Sequence, residues 1–300
     1  MHEARGCWRV ALSVGLWLAA GCSGPNAPVE APAEETALDG SRQQAIEIAE
    51  RMLARYREAQ SYSDSAAYVE ESVLRGEGVA RELPYYQMTL AFVRPNRVRL
   101  SLSEALADAD GRRQGFDAAC DGRWMRATLL EMPSQVVERP APSRLTPDNV
   151  LPDPLIREKL MGRPLGEVLP QLAMLLAPDD ENSAVFPEDE NPRLLAGASL
   201  GGRACHRVAT THPEGTRVLW IDCDTFVLRR IELPVETHRR IIDPDGHFLR
   251  FAVRIDFEEP TFDAELDEAV FALPTAAGTH RVRRFVLPTN PEMLADAAAP

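Results

Sequence analysis

The chain is nearly devoid of lysine. Lys159 is the single one, arginine carries almost all the positive charge, and the overall balance is −13. A chain this acidic repels phosphate backbones, and no basic cluster with interleaved aromatics offsets the repulsion, which argues against a nucleic-acid partner. Cysteine is sparse, five in 300 residues, and no Cys-x-x-Cys occurs, so a thioredoxin-like redox site is excluded. The later histidines, His206, His212, His238, His247 and His280, are widely scattered. Only Cys205-His206 brings two metal-binding side chains together, and neighbours on a strand point to opposite faces. The acidic run Asp179, Asp180, Glu181, Glu188, Asp189 and Glu190 lacks the alternating oxygen spacing of a calcium loop and reads as a solvated loop. No metal and no cofactor is expected.

Catalytic patterns are also missing. Phosphate-cradling loops of the common types are absent. Gly197-Ala198-Ser199-Leu200-Gly201 matches a nucleophile elbow on paper, but that device needs a strand-to-helix turn. Here Ser199 lies between two strand-like segments ending in the turn pair Gly201-Gly202. No catalytic residue is assigned, and the chain is read as a non-enzyme. Beyond the N-terminus, charges or prolines interrupt every apolar run, so no later segment is long enough to span a bilayer, which takes about 20 residues.

The N-terminus does carry an address. Arg5 and Arg9 precede the apolar stretch Val10–Ala20, which is too short for a membrane span and suits the h-region of a signal peptide. Leu18-Ala19-Ala20-Gly21-Cys22 follows, and this pattern resembles a bacterial lipobox, with Cys22 as the residue to be acylated. The expected organisation is a signal peptide over residues 1–21, a Pro- and Ala-rich tether over 22–40, a domain over 41–286 and a disordered tail over 287–300. Two or three acyl chains on Cys22 would hold the protein to a membrane, since each buried CH₂ contributes about 0.8 kcal/mol. Ser23 after the cysteine resembles the signal for outer-membrane sorting, which places the protein in the cell envelope, on the periplasmic face of the outer membrane.

Within the domain, Ala45, Ile48, Ala49, Met52, Leu53 and Tyr56 recur at three and four residues, predicting a helix capped near Asp39 or Ser41. Strand-like segments follow at 65–74, 83–93, 97–103, 115–121 and 123–130. Helices are expected at 154–161 and 165–176, the second apolar nearly all round. Strands resume at 194–200, 203–209, 217–222, 227–233, 236–242 and 247–257. Consecutive strands pair antiparallel, so the expected fold is α+β, mainly β: a curved antiparallel sheet or half-open β-barrel with helices covering its concave face. Cys205 and Cys223 flank the hairpin at 203–222. A disulfide between them and two free thiols are both compatible with the pattern, because a one-residue change of register turns the side chains to opposite faces.

Four stretches, taken in order, resemble the LolA/LolB/RseB-like family of lipoprotein carriers and sensors. They are Phe92-Val93-Arg94-Pro95-Asn96-Arg97-Val98-Arg99-Leu100, Cys120-Asp121-Gly122-Arg123-Trp124, Leu219-Trp220-Ile221-Asp222 with Leu228-Arg229-Arg230, and Phe251–Pro274 ending in Phe-x-x-Pro. The resemblance implies a half-open barrel wrapped around helices, whose apolar inner surface takes a lipid or a lipoprotein acyl chain. Candidates for that lining are Phe92, Trp124, Leu172 and Leu176; the family pattern implies that Arg94 and Arg99 tie the covering segments, with surface solvation the alternative for both. An anchored chain of this kind suits an acceptor or sensor better than a free shuttle. The competing reading is an interaction or scaffold module with a filled core.

Overall fold

A computed structural model describes residues 33–76, 79–159, 169–177, 190–212, 215–235, 243–275 and 277–286. The signal peptide, Cys22, the strand expected at 236–242 and the tail over 287–300 lie outside the described residues.

The described residues begin with helix α1 (Ala33–Glu58) and continue into six strands. These are β1 (Ser61–Leu74), β2 (Ala80–Val93), β3 (Arg97–Glu104), β4 (Gly115–Asp121), β5 (Trp124–Leu129) and β6 (Gln135–Pro140). Two short helices follow, α2 (Pro154–Lys159) and α3 (Pro170–Leu176). The second set of strands is β7 (Arg193–Leu200), β8 (Arg203–His212), β9 (Gly215–Asp222), β10 (Leu228–Leu233) and β11 (Phe248–Phe262). A 3-10 turn, Glu268–Phe271, and the short strand β12 (His280–Val282) close the order.

Among the described residues the strands form one open, curved 12-stranded sheet in the order β12-β6-β5-β4-β3-β2-β1-β11-β10-β9-β8-β7. Every pairing is antiparallel except β12 on β6. The two meanders meet where β11 returns to β1, along a ladder running from Tyr62 opposite Phe262 to Leu74 opposite Phe248. This is the α+β, mainly β architecture expected from the alternation.

Side-chain period decides which face is covered. On β3, Val98, Leu100 and Leu102 are buried while Arg97, Arg99 and Ser101 turn the other way. Met125, Ala127 and Leu129 do the same on β5. These inward residues join the apolar stripe of α1 (Ala45, Ile48, Ala49, Met52, Tyr56) and Leu172, Leu175 and Leu176 of α3 in one core. Gly115 is fixed by close approach: its φ is +149° and a Cβ there would sit 2.2 Å from the Leu102 carbonyl oxygen.

Several boundaries differ from the sequence reading. Helix α1 begins at Ala33, so residues 33–40 of the expected tether are helical. Ala, Glu and Leu are strong helix formers, and Gly40 costs only about 1 kcal/mol. Strand β6 was masked by the prolines at its flanks, and β12 has no pattern of its own because it is held by pairing with β6. Phe285, where the tail's composition begins, belongs to the core. Its N–H donates to Asp153 Oδ2 at 3.2 Å, and Val286 N–H donates to Gln135 Oε1 at 3.0 Å.

Candidate functional site

The inner face of the sheet is apolar, so polar groups that reach it are informative. They gather where α1 ends, β1 begins and α3 lies across both.

Arg94 sits just beyond β2, and its side chain reaches back beneath the helices. Nε donates to the Ala59 carbonyl at 2.9 Å, and Nη2 donates to the carbonyls of Arg57 at 2.6 Å and Leu175 at 2.8 Å. The last carbonyls of a helix have no intrahelical partner and carry the negative end of its dipole. A single guanidinium therefore serves the C-terminal ends of both α1 and α3, a task suited to arginine's fixed fork of donors.

Below it the floor is hydrocarbon. Phe92, Leu172 and Leu176 are buried in the same core cluster, together with Leu175. Arg94 lies over the Phe92 ring at 5.6 Å. A cleft of about 430 Å³ opens beside this junction, lined by Arg57, Gln60, Phe92, Arg94, Arg144 and Leu145 among others.

A second polar group lies deeper. Asp64 on β1 is 9% exposed and Gln171 on α3 is fully buried. Asp64 Oδ2 accepts from the Tyr62 hydroxyl at 2.9 Å and from Gln171 Nε2 at 3.4 Å. Gln171 Nε2 also lies 3.7 Å from Met88 Sδ on β2. Among the described residues, Asp64 Oδ1 and Gln171 Oε1 accept no hydrogen bond, and the Tyr56 hydroxyl has no partner either. The rings of Tyr56, Tyr62 and Phe262 pack around the group, with centroids 4.9–5.4 Å apart. Burial pushes the Asp64 carboxyl up to about 7, while Tyr62 and Gln171 pull the other way by hydrogen bonding to the charged form. Desolvation also raises the phenols of Tyr56 and Tyr62 above their ordinary range. Sequence reading missed this group, because Asp64 precedes the strand expected at 65–74, where a carboxylate reads as a boundary residue; the structure begins β1 at Ser61.

The other expected site residues lie elsewhere. Trp124 shares its face with Arg126 and Thr128, opposite to buried Met125 and Ala127, so it is on the outer side of the sheet. The strand's period of two thus sets Trp124, expected to line the apolar surface, on the face opposite the core residues. Arg99 also points outward: Nη2 pairs with Asp117 Oδ1 at 3.0 Å and Nη1 donates to the Ala272 carbonyl at 3.4 Å. Beside it, Arg97 pairs with Glu268 at 3.5 Å and lies over the Phe271 ring at 5.6 Å. The two arginines thus hold the 3-10 segment against the outer face of β3.

Cys205 and Cys223 are free thiols. Cys205 lies opposite Asp222, and Cys223 N–H donates to the Ala204 carbonyl at 3.0 Å. That register sends the two thiols to opposite faces, and a disulfide would require a shift of one residue.

The fold and this junction define a curved sheet closed on its inner side by helices that an arginine holds by their ends. No family model matches the chain, and no curated protein matches it in sequence. Solved structures do resemble it. The Mycobacterium tuberculosis lipoprotein LppX is 9% identical, with 75% of this chain and 99% of that chain covered and a TM-score of 0.36. LprF from Mycobacterium bovis is 10% identical, covering 78% and 98%, with a TM-score of 0.37. A LolA superfamily protein from Nitrosomonas europaea is 14% identical, covering 78% and 98%, with a TM-score of 0.26.

Proposed function

We propose that this protein is an envelope lipoprotein, anchored through Cys22 on the periplasmic face of the outer membrane, whose sheet takes a lipid or acyl chain when α3 lifts. The observation that carries the reading is how α3 is held. It is one short helix whose Leu172, Leu175 and Leu176 cover the apolar face of the sheet. Its polar ties among the described residues include the Arg94 bond to the Leu175 carbonyl and the Gln171 bonds to Asp64 and to Met88 Sδ. Apolar contact of this kind is non-directional, so an acyl chain can replace the helix side chains against the same surface. The motif resemblance to lipoprotein carriers and the lipobox-like N-terminus support the same reading.

A second reading is favoured by one observation. Phe92, Leu172 and Leu176 are packed within a continuous core, as in an interaction module that needs no ligand. Native mass spectrometry of the full chain, released from detergent after incubation with phospholipid or with a triacylated lipopeptide, separates the two. Retention of a lipid at one-to-one stoichiometry, lost on competition by a fluorescent fatty acid, supports the carrier. Failure to retain any lipid supports the filled module.

A further inference from the structure

Asp64 and Gln171 present an unusual pairing, a carboxyl and a primary amide facing each other in hydrocarbon. One half of the contact is made, since Gln171 Nε2 donates to Asp64 Oδ2 at 3.4 Å. The remaining oxygen of each group, Asp64 Oδ1 and Gln171 Oε1, is buried and without a donor among the described residues. A buried acceptor left unsatisfied is costly, and two in one contact are more so. A charged carboxylate cannot relieve either, because it only accepts. A single proton on Asp64 relieves both.

Among the described residues, none pairs with Asp64 as a compensating charge. From its own strand comes the Tyr62 hydroxyl, from α1 Tyr56, from α3 Gln171, from β2 Met88, and from β11 the ring of Phe262 against the two tyrosines. Arg229 on β10, whose charge reaches Tyr56, is paired with Asp222 at 3.2 Å. Among the described residues Asp64 makes no ion pair.

We propose that Asp64 and Gln171 form a proton-dependent latch: with a proton on Oδ1, Asp64 donates to Gln171 Oε1 while Gln171 Nε2 donates to Asp64 Oδ2, and release of that proton to solvent frees α3 from β1. The inference goes beyond the carrier reading, because it concerns what closes α3 whether or not a lipid lies beneath. Deprotonation leaves a negative charge facing an amide oxygen, so the reciprocal ring becomes one hydrogen bond beside a repulsion. Hydration of the carboxylate then favours the state in which α3 has moved away. The raised carboxyl described above sets the working range near neutrality.

Hydrogen exchange read by mass spectrometry on the full chain tests this without any lipid. Protection of peptides covering residues 169–177 is compared between about pH 5.5 and about pH 8.5, after correction for intrinsic exchange. The wild type is expected to lose protection there by tenfold or more at the higher pH, while β3 and β4 change little. In Asp64→Asn the amide reproduces the protonated acid, donating to Oε1 and accepting from Nε2, so protection stays high at both values. Gln171→Met, which has no oxygen to receive the proton, is expected to be weakly protected at both. Equal protection of the wild type at the two values, or an unchanged pH dependence in Asp64→Asn, overturns the latch. Carbon-13 titration of the Asp64 carboxyl decides independently of any variant's folding: a midpoint near neutrality supports the latch, and one in the ordinary aspartate range, about 4, overturns it.

Discussion

The Arg94 side chain and the Leu175 carbonyl, 81 residues apart in sequence, meet at 2.8 Å through Nη2. The same nitrogen reaches the Arg57 carbonyl at 2.6 Å. Two helix ends from distant parts of the chain are thereby joined at one guanidinium, beside a cleft that gives onto Phe92.

Replacement of that fork is the first prediction. Arg94→Lys keeps the charge but offers a compact ammonium that cannot span three carbonyls in a fixed plane. Hydrogen bonds to charged groups contribute about 1.5–3 kcal/mol each, so the loss of one or two should lower stability by about 2–4 kcal/mol. Urea unfolding of the wild type and the variant reads this as a lower midpoint with an unchanged slope. Faster exchange in residues 170–176 than in β1 would place the loss at α3.

The pH profile of stability is the second. The folded Asp64 carboxyl is raised to about 7, above its unfolded value near 4. Between those values the folded state binds the proton and the unfolded state does not, so stability declines as pH rises. The contribution is fully present below about pH 4 and lost above about pH 7, a change on the order of a few kcal/mol. Asp64→Asn should flatten this segment and be more stable than the wild type at pH 8. Urea midpoints collected from pH 4 to pH 8 check the slope, and a parallel offset of the two curves would contradict it.

The two faces of the sheet should respond differently to truncation. Leu172→Ala removes a fully buried side chain and should cost about 2–5 kcal/mol. Trp124→Ala acts on the outer face, away from α3, and should leave lipid retention unchanged. Native mass spectrometry with the same phospholipid for each variant reads the difference. Loss of retention in Trp124→Ala alone would place the ligand on the wrong side of this account.

The anchor has its own test. Cys22→Ala should move the protein from the membrane pellet to the soluble envelope fraction while leaving its circular dichroism and unfolding midpoint unchanged. Retention in the pellet would show that something other than an acyl chain holds it.

Much of the architecture is written locally. The three-and-four spacing of Ala45, Ile48, Ala49, Met52 and Tyr56 marks α1, and the alternation of Val98, Leu100 and Leu102 marks β3 and its buried face. Strand β4 has the same limits in sequence and structure, Gly115–Asp121. What local pattern lacks is any record of partners. Strand β12 is held by β6, which pairs on its other edge with β5, and Arg254 on β11 ties β1 and β2 through Glu71 and Glu82 at 3.0 and 2.8 Å.

The amino-acid sequence by itself determined the class of the fold and the direction in which each regular strand turns its apolar side, because helix and strand periods are properties of a few consecutive residues. Trp124 shows the limit of reading aromatic content without parity: its neighbours Met125 and Ala127 take the inner face, so it takes the outer one. Only the tertiary structure decided that Arg94 closes two helices and that Asp64 faces Gln171 away from water. A carboxyl group's protonation depends on the dielectric and the partners around it, and those arise when segments more than a hundred residues apart pack together.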